Sequence, residues 1–269
     1  MPLGDPITSR SNARVKALRS ACDGRAARPG DLIGLEGEHL IAEAAHSGLA
    51  LDTLFVRAGS EPMLDRPALK ALRVNSTVVL SADVFASAVE TASPQGIAAT
   101  VALPEIPLPP HPRITVVLED LQDPGNLGTL LRTAEAFGAQ QIFATPATVS
   151  QWNPKVVRAS AGSVFRIPVV RAPLAALATL LTEAGITTYA AVVQPQGALS
   201  LIDTTLMLPC ALMIGNEGAG LSSSALAIAR HRLRIPCSVE SLNAAIAGSI
   251  LLYEAMRQHL CGQGSERTA

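Results

Sequence analysis

The chain alternates short apolar runs with segments of helical periodicity, and the clearest pair lies in its middle. Residues 114–117 are all β-branched and predict a buried parallel strand. Glu119 and Asp120 follow, and Asp123-Pro124-Gly125-Asn126 predicts a turn. From Leu127 the period becomes helical, with Leu127, Leu130, Leu131, Ala134 and Phe137 on one face. Gly138 sits where a helix C-terminus takes a left-handed residue. The polar loop of this unit therefore lies at the carboxyl end of a strand, where open α/β sheets build their sites.

The same reading extends along the chain. Residues 7–22 predict a helix with Thr8 and Ser9 as caps. Strands are predicted at 31–36, 51–58, 77–82 and 96–103, with helical segments at 37–48, 67–74 and 82–90 between them. Residues 104–112 are more than half proline and predict a stiff linker. Beyond it come strands at 141–147, 187–193, 210–215 and 232–236, and a short helix and strand within 151–171. Helices are predicted at 173–185, at 222–231 and from Asn243 onward. Such alternation predicts an α/β protein with a largely parallel sheet covered on both faces. The expected organisation is a domain over 1–103, the linker 104–112, a second domain over 113–262 and a tail over 263–269.

Composition narrows the class. Hydrophobic residues make up 48% of the chain and aromatics only 3%, so Ala, Leu, Val and Ile must fill the core. Cys22, Cys210, Cys237 and Cys261 lack zinc or redox spacing and read as reduced and structural. The N-terminus has no signal-peptide pattern and no apolar run is long enough to span a bilayer, so a soluble cytoplasmic protein is expected. A net charge of −1 argues against a generally basic nucleic-acid binder. Arg10, Arg14, Lys16, Arg19, Arg25 and Arg28 nevertheless stand against the single Asp23 between 10 and 28. That segment reads equally as a polyanion contact or a solvated helix face.

Three clusters carry candidate chemistry: Asn126 with Arg132 and Thr133, residues 214–222 (IGNEGAGLS), and residues 235–254 (IPCSVESLNAAIAGSILLYE). The second is glycine-rich but is neither a P-loop nor a dinucleotide fingerprint. Its bland reading is a tight turn between strand and helix. The third opens a helix that is apolar nearly all round, which reads as a central core helix or, more sharply, as a core helix with a subunit interface. None of His39, His46, His111, His231 and His259 falls in a cluster, and neither a hydrolytic triad nor metal-ligand spacing is present.

In this order the clusters resemble the three signature motifs of the SpoU (TrmH-type) family of RNA ribose methyltransferases, seen here as NLGTLLRTAEAFGA, IGNEGAGLS and VESLNAAIAGSILLYE. NPKVVRASAGSVFRIPV matches the family sequence between the first two motifs. ITSRSNARVKAL and LEGEHLIAEA are similar to the substrate-binding domain many members carry, a fold akin to some ribosomal proteins. The resemblance implies a parallel α/β domain with a deep trefoil knot, a homodimer, and S-adenosylmethionine as methyl donor. Asn126, Arg132, Glu217, Ser241 and Asn243 match the family's active-site polar positions. Gly215, Asn216, Gly218, Ile235 and Leu242 match its cofactor-binding stretch. Arg10, Asn12, Arg14, Lys16, Arg19 and Arg158 are the implied RNA contacts. One departure stands out: the loop 235–240 is shorter than the family's usual one. The resemblance implies transfer of a methyl group to a ribose 2′-hydroxyl of structured RNA, ribosomal rather than transfer RNA. The alternative is a non-catalytic RNA-binding or ribosome-assembly protein on the same fold.

Overall fold

The structure is a computed structural model describing residues 3–91, 93–193 and 196–265, the side chains of 261–265 excepted. It contains two compact units, Met1–Glu105 with Trp152–Phe165, and Ile106–Gln151 with Arg166–Ala269.

The first unit runs α1 (Ala13–Cys22), β1 (Leu32–Glu36), α2 (Glu38–His46), β2 (Leu51–Arg57), α3 (Pro67–Lys70), β3 (Val74–Leu80), α4 (Ala82–Ala88) and β4 (Ile97–Ala102). Its sheet has the order β1-β4-β2-β3, with β4 antiparallel to both neighbours and β2 parallel to β3. Val15, Leu18, Phe55, Leu80, Val84 and Phe85 form its core between sheet and helices. Two expectations are corrected. The first helix begins at Ala13, where Asn12 accepts the Arg14 N–H at 2.9 Å and caps it. Ile7 instead bridges Leu80 and packs on the core, a better use of a β-branched apolar residue than an exposed helix start. The helix expected over 67–74 stops at Lys70, because Val74 already pairs with Leu51 in the sheet.

The chain continues with β5 (Ile114–Leu118), α5 (Pro124–Ala136), β6 (Gln141–Ala144), α6 (Pro154–Ala159), β7 (Val169–Arg171), α7 (Leu174–Glu183), β8 (Thr187–Ala191), β9 (Leu199–Ser200), β10 (Cys210–Ile214), α8 (Ser223–Ile228), β11 (His231–Arg234) and α9 (Ala244–Ser265). All of these except α6 belong to the second unit. Its strands pair in parallel in the order β7-β6-β5-β10-β8-β11-β9. On one face Val117, Phe143, Ala211 and Met213 pack under Leu177 and Leu181 of α7 and Ala225 of α8. On the other, α9 closes on α5 and β10 at Gly248, where an added Cβ would fall 2.4 Å from Leu130 and 2.6 Å from Ile214.

Here too the structure corrects the sequence reading. The expected turn at 123–126 is the first turn of α5: Asp123 is its N-cap and Pro124 occupies a first-turn position, where a missing N–H costs nothing. The two-residue β9 is too short for a periodicity signal. Within the single chain α9 is not buried on all sides, since Ile246, Tyr253 and Leu260 are 53%, 50% and 59% exposed. Burial pushes the Cys22 and Cys210 thiols up to about 12, with Glu90 and Glu36 adding to the effect at Cys22. Neither is a nucleophile near neutral pH. Cys237 is exposed, and the Cys261 side chain lies outside the described residues. Residues 266–269 of the expected tail also lie outside them. Among the described residues no helix is long and apolar enough to cross a membrane.

Candidate functional site

β5 and β10 lie side by side in parallel register from Ile114↔Cys210 to Leu118↔Ile214. Their carboxyl ends therefore release two neighbouring loops, 119–123 and 215–222. Three side chains tie these loops together. The Glu217 carboxylate accepts the N–H of Gln122 at 3.3 Å, the N–H of Asp123 at 3.1 Å and Asn126 Nδ2 at 2.9 Å. Asn216 donates through Nδ2 to the Asp120 carbonyl at 2.9 Å. Glu119, only 8% exposed, accepts both the N–H and the Oγ–H of Ser222, at 2.8 and 2.6 Å. Ser222 Oγ in turn accepts the Ala225 N–H at 3.1 Å and caps α8.

A third loop joins at Asn126. Asn243 donates through Nδ2 to Asn126 Oδ1 at 2.9 Å. Asn243 Oδ1 accepts the N–H groups of Ala245 and Ile246, at 2.9 and 3.1 Å, and so caps α9. The direction of the whole relay follows from the chemistry of Glu217. An ionised carboxylate only accepts, so it fixes the Asn126 amide with Nδ2 toward itself and Oδ1 toward Asn243. Asn243 must then present its own Nδ2, which leaves its oxygen for the helix. Partial burial, the largest single influence, pushes the Glu217 carboxyl up. The hydrogen bonds from Asn126 and from backbone N–H groups of 217, 123 and 122 together outweigh it and hold the group below the usual carboxylate range.

Backbone crowding explains one glycine of the second loop. Asn216 and Gly220 exchange two backbone hydrogen bonds, at 3.1 and 2.9 Å, which folds the loop back on itself. A Cβ on Gly215 would lie 2.2 Å from the carbonyl carbon of Gly220. Gly218 is different: its N–H and that of Ala219 bond Asn216 Oδ1, and its nearest Cβ neighbour would be 3.6 Å away.

The structure brings Asn126, Asn216, Glu217 and Asn243 together, and leaves the other candidates around them. Arg132 is exposed on α5, and its guanidinium has no hydrogen-bond or ion-pair partner among the described residues. Ser241 is exposed and Leu242 half-buried. Ile235 lines a groove of about 500 Å³ with Leu201, Ile202, Pro236, Ile250, Tyr253 and the charged Glu254 and Arg257. In the first unit Arg10 lies 3.9 Å from Asp83, Arg158 lies 3.8 Å from Glu90, and Arg19 bonds Ser87. Arg14 and Lys16 remain exposed, with side chains unpartnered among the described residues.

Sequence reasoning missed Glu119, Gln122 and Asp123 as parts of this site, and placed Ser222 in the second cluster without its pairing to Glu119. Asp123 was legible in principle, because Asp before Pro is an N-cap signature. For Glu119 and Ser222, 103 residues apart, no local signal exists. Among the described residues no group of three His, Cys, Asp or Glu side chains could hold a metal ion.

Comparison with known proteins identifies the family. Residues 113–253 match the SpoU rRNA Methylase family, and residues 12–99 match the MRM3-like substrate binding domain. The chain is 38% identical over 263 residues to an uncharacterized tRNA/rRNA methyltransferase of Synechocystis sp., covering 94% of this chain and 93% of that one. It is 32% identical over 249 residues to the 23S rRNA (guanosine(2553)-2′-O)-methyltransferase RlmP of Bacillus subtilis, covering 92% and 97%. The AdoMet-bound rRNA methyltransferase from Sinorhizobium meliloti superposes with a TM-score of 0.78 at 30% identity, covering 95% and 98%. The chain belongs to the SpoU rRNA methylase family.

Proposed function

We propose that this protein transfers a methyl group from S-adenosylmethionine to a ribose 2′-hydroxyl of ribosomal RNA. The observation that carries the reading is the relay Glu217–Asn126–Asn243, which locks the three motif loops into one rigid site at the carboxyl edge of the sheet. A binding module has no need for such a relay, whereas methyl transfer depends on holding donor and acceptor in line. This favours catalysis over a non-catalytic assembly role.

The residues present fit the cofactor. The groove beside Ile235 falls within the usual range of about 300–1,000 Å³ for small-molecule sites, with apolar walls from Leu201, Ile202 and Ile250 and the paired charges of Glu254 and Arg257 at its side. Ile235 lines this groove despite the short 235–240 loop, and Gly215, Asn216, Gly218 and Leu242, which lie outside its lining, would complete the site from the neighbouring loops. Bound there, S-adenosylmethionine supplies an electrophilic methyl group. Arg132 would grip the phosphate beside the target ribose and stabilise the oxygen as its proton passes to solvent water. Its reference pKa of about 12.5–13.8 makes it a poor base near neutrality. Asn126 and Asn243 hold the floor of the site, and Ser241 faces the substrate.

In this reading residues 1–103 bind RNA through Arg14 and Lys16, 104–112 link, 113–262 carry out the transfer and 263–269 form a tail. The transfer domain is threaded as a trefoil knot. Two copies pair through the exposed Ile246, Tyr253 and Leu260 of α9, and the reaction takes place in the cytoplasm. Calorimetric titration with S-adenosylmethionine tests the core of the proposal. Saturable binding that disappears in Gly215→Val is the expected result. A folded wild-type protein that binds neither the cofactor alone nor the cofactor with RNA present contradicts it.

A further inference from the structure

The second unit carries an arginine ridge that the proposed site does not use. From Gly218 to Val239 the chain holds Arg230, Arg232 and Arg234 and no acidic residue, although the whole protein has a net charge of −1. Arg230 leads into β11, which carries the other two. Side chains alternate along a strand, so Arg232 and Arg234 share a face while Leu233, 1% exposed, points the other way into the core. That face is the one under α7 and α8: Arg232 is in register with Ala190, which pairs with Met213 of the core beneath those helices. Arg230 and Arg232 are exposed and Arg234 is half-buried. None of the three guanidinium groups has a hydrogen-bond or ion-pair partner among the described residues.

We infer that this ridge binds the sugar–phosphate backbone of the RNA substrate and guides it to the methylation site. The inference rests on the function proposed above. Its geometry suits a polynucleotide: alternate residues of a strand stand about 6.6 Å apart, close to the spacing of consecutive phosphates along an extended chain. Guanidinium groups left without internal partners are free to take phosphate oxygens in bidentate fashion. The direction is also right. β11 runs parallel to β8, which runs parallel to β10, so Arg234 ends at the carboxyl edge of the sheet. The next residues lead to Ser241 and to Asn243, which bonds Asn126. A bland role exists for comparison. β9 pairs with only Leu233 and Arg234, so the start of β11 lies at an open edge, and charges on such an edge hinder self-association.

The test measures binding of a labelled polyuridylate oligonucleotide and of deproteinised large-subunit rRNA over a range of salt, for the wild type and for the triple variant R230Q/R232Q/R234Q. Three lost phosphate contacts should make the slope of log K against log salt shallower by about 2. The triple Arg→Lys variant should recover most of that slope, and S-adenosylmethionine affinity should be unchanged in both variants. An unchanged RNA slope in a folded, cofactor-binding glutamine variant overturns the ridge, as does a glutamine variant whose only change is self-association. Failure of the wild type itself to bind cofactor would instead defeat the function on which the ridge rests.

Discussion

Asn126 Oδ1 accepts a hydrogen bond from Asn243 Nδ2 at 2.9 Å, across 117 residues of sequence. The opposite end of the same amide is held by Glu217, so both polar atoms of a residue only 8% exposed are used. Asn126→Ala removes both contacts. The expected cost is about 1–2 kcal/mol of stability, because water can reach the exposed Glu217. Misplacement of the loops should lower methyl transfer by about a hundredfold. Thermal melting and single-turnover rates separate the two effects. Asn126→Asp should be worse than Ala for activity, since it sets a second carboxylate against Glu217.

The relay should fail in acid. The Glu217 carboxyl is held below its ordinary value of 4.5, so the unfolded state binds its proton more readily than the folded one. Its contribution to stability is therefore complete above pH 4.5 and is lost as pH falls through the lower folded value. Stability curves for the wild type and Glu217→Gln should converge in that acid window and separate above it. Parallel curves at all pH values would show that the charge does not organise the loops.

Glu119 holds the far end of the glycine loop. Ser222→Ala removes a hydroxyl that both donates to this buried carboxylate and caps α8, so a loss of about 2–4 kcal/mol is expected by denaturant unfolding. In a double-mutant cycle, Glu119→Gln and Ser222→Ala should be strongly non-additive. Additive losses would show that the two side chains act independently.

Two glycines should resist even alanine. At Gly215 the added methyl meets the backbone at Gly220, so the 215–222 loop must open and cofactor affinity should fall at least tenfold in a protein that still folds. At Gly248 the methyl meets the side chains of Leu130 and Ile214 between two helices and a strand. The expected result there is a general loss of about 1–3 kcal/mol with cofactor affinity less affected. Equal effects of the two on affinity and melting would contradict this division.

How much of this was legible beforehand follows from where each signal lies. The strand and helix around Leu118 and Leu127 could be read locally, because period and turn residues agree there. Asn126, Glu217 and Asn243 could be named from their motifs, but their joining could not. It depends on β10 pairing with β5 and on α9 returning to α5, which are non-local facts. Glu119 looked like any acid after a strand until the sheet order placed Ser222 beside it. The stripe Ile246, Tyr253 and Leu260 was hidden for a different reason: apolar residues on every face of α9 give no indication of which face lacks a neighbour.

With that stripe as the subunit interface, Leu260→Glu, which lies outside the groove proposed for the cofactor, should convert a dimer to a monomer in sedimentation equilibrium. A wild-type monomer at all accessible concentrations would remove the homodimer from the account.

The most direct test of the central claim is nucleoside mass spectrometry on unmodified large-subunit rRNA incubated with the protein and S-adenosylmethionine. One 2′-O-methylated nucleoside should appear with the wild type. Arg132→Ala should reduce its formation by about 10²–10³-fold while retaining cofactor binding. An Arg132→Ala protein that methylates at the wild-type rate, or a methyl group found on a base rather than a ribose, would contradict the account.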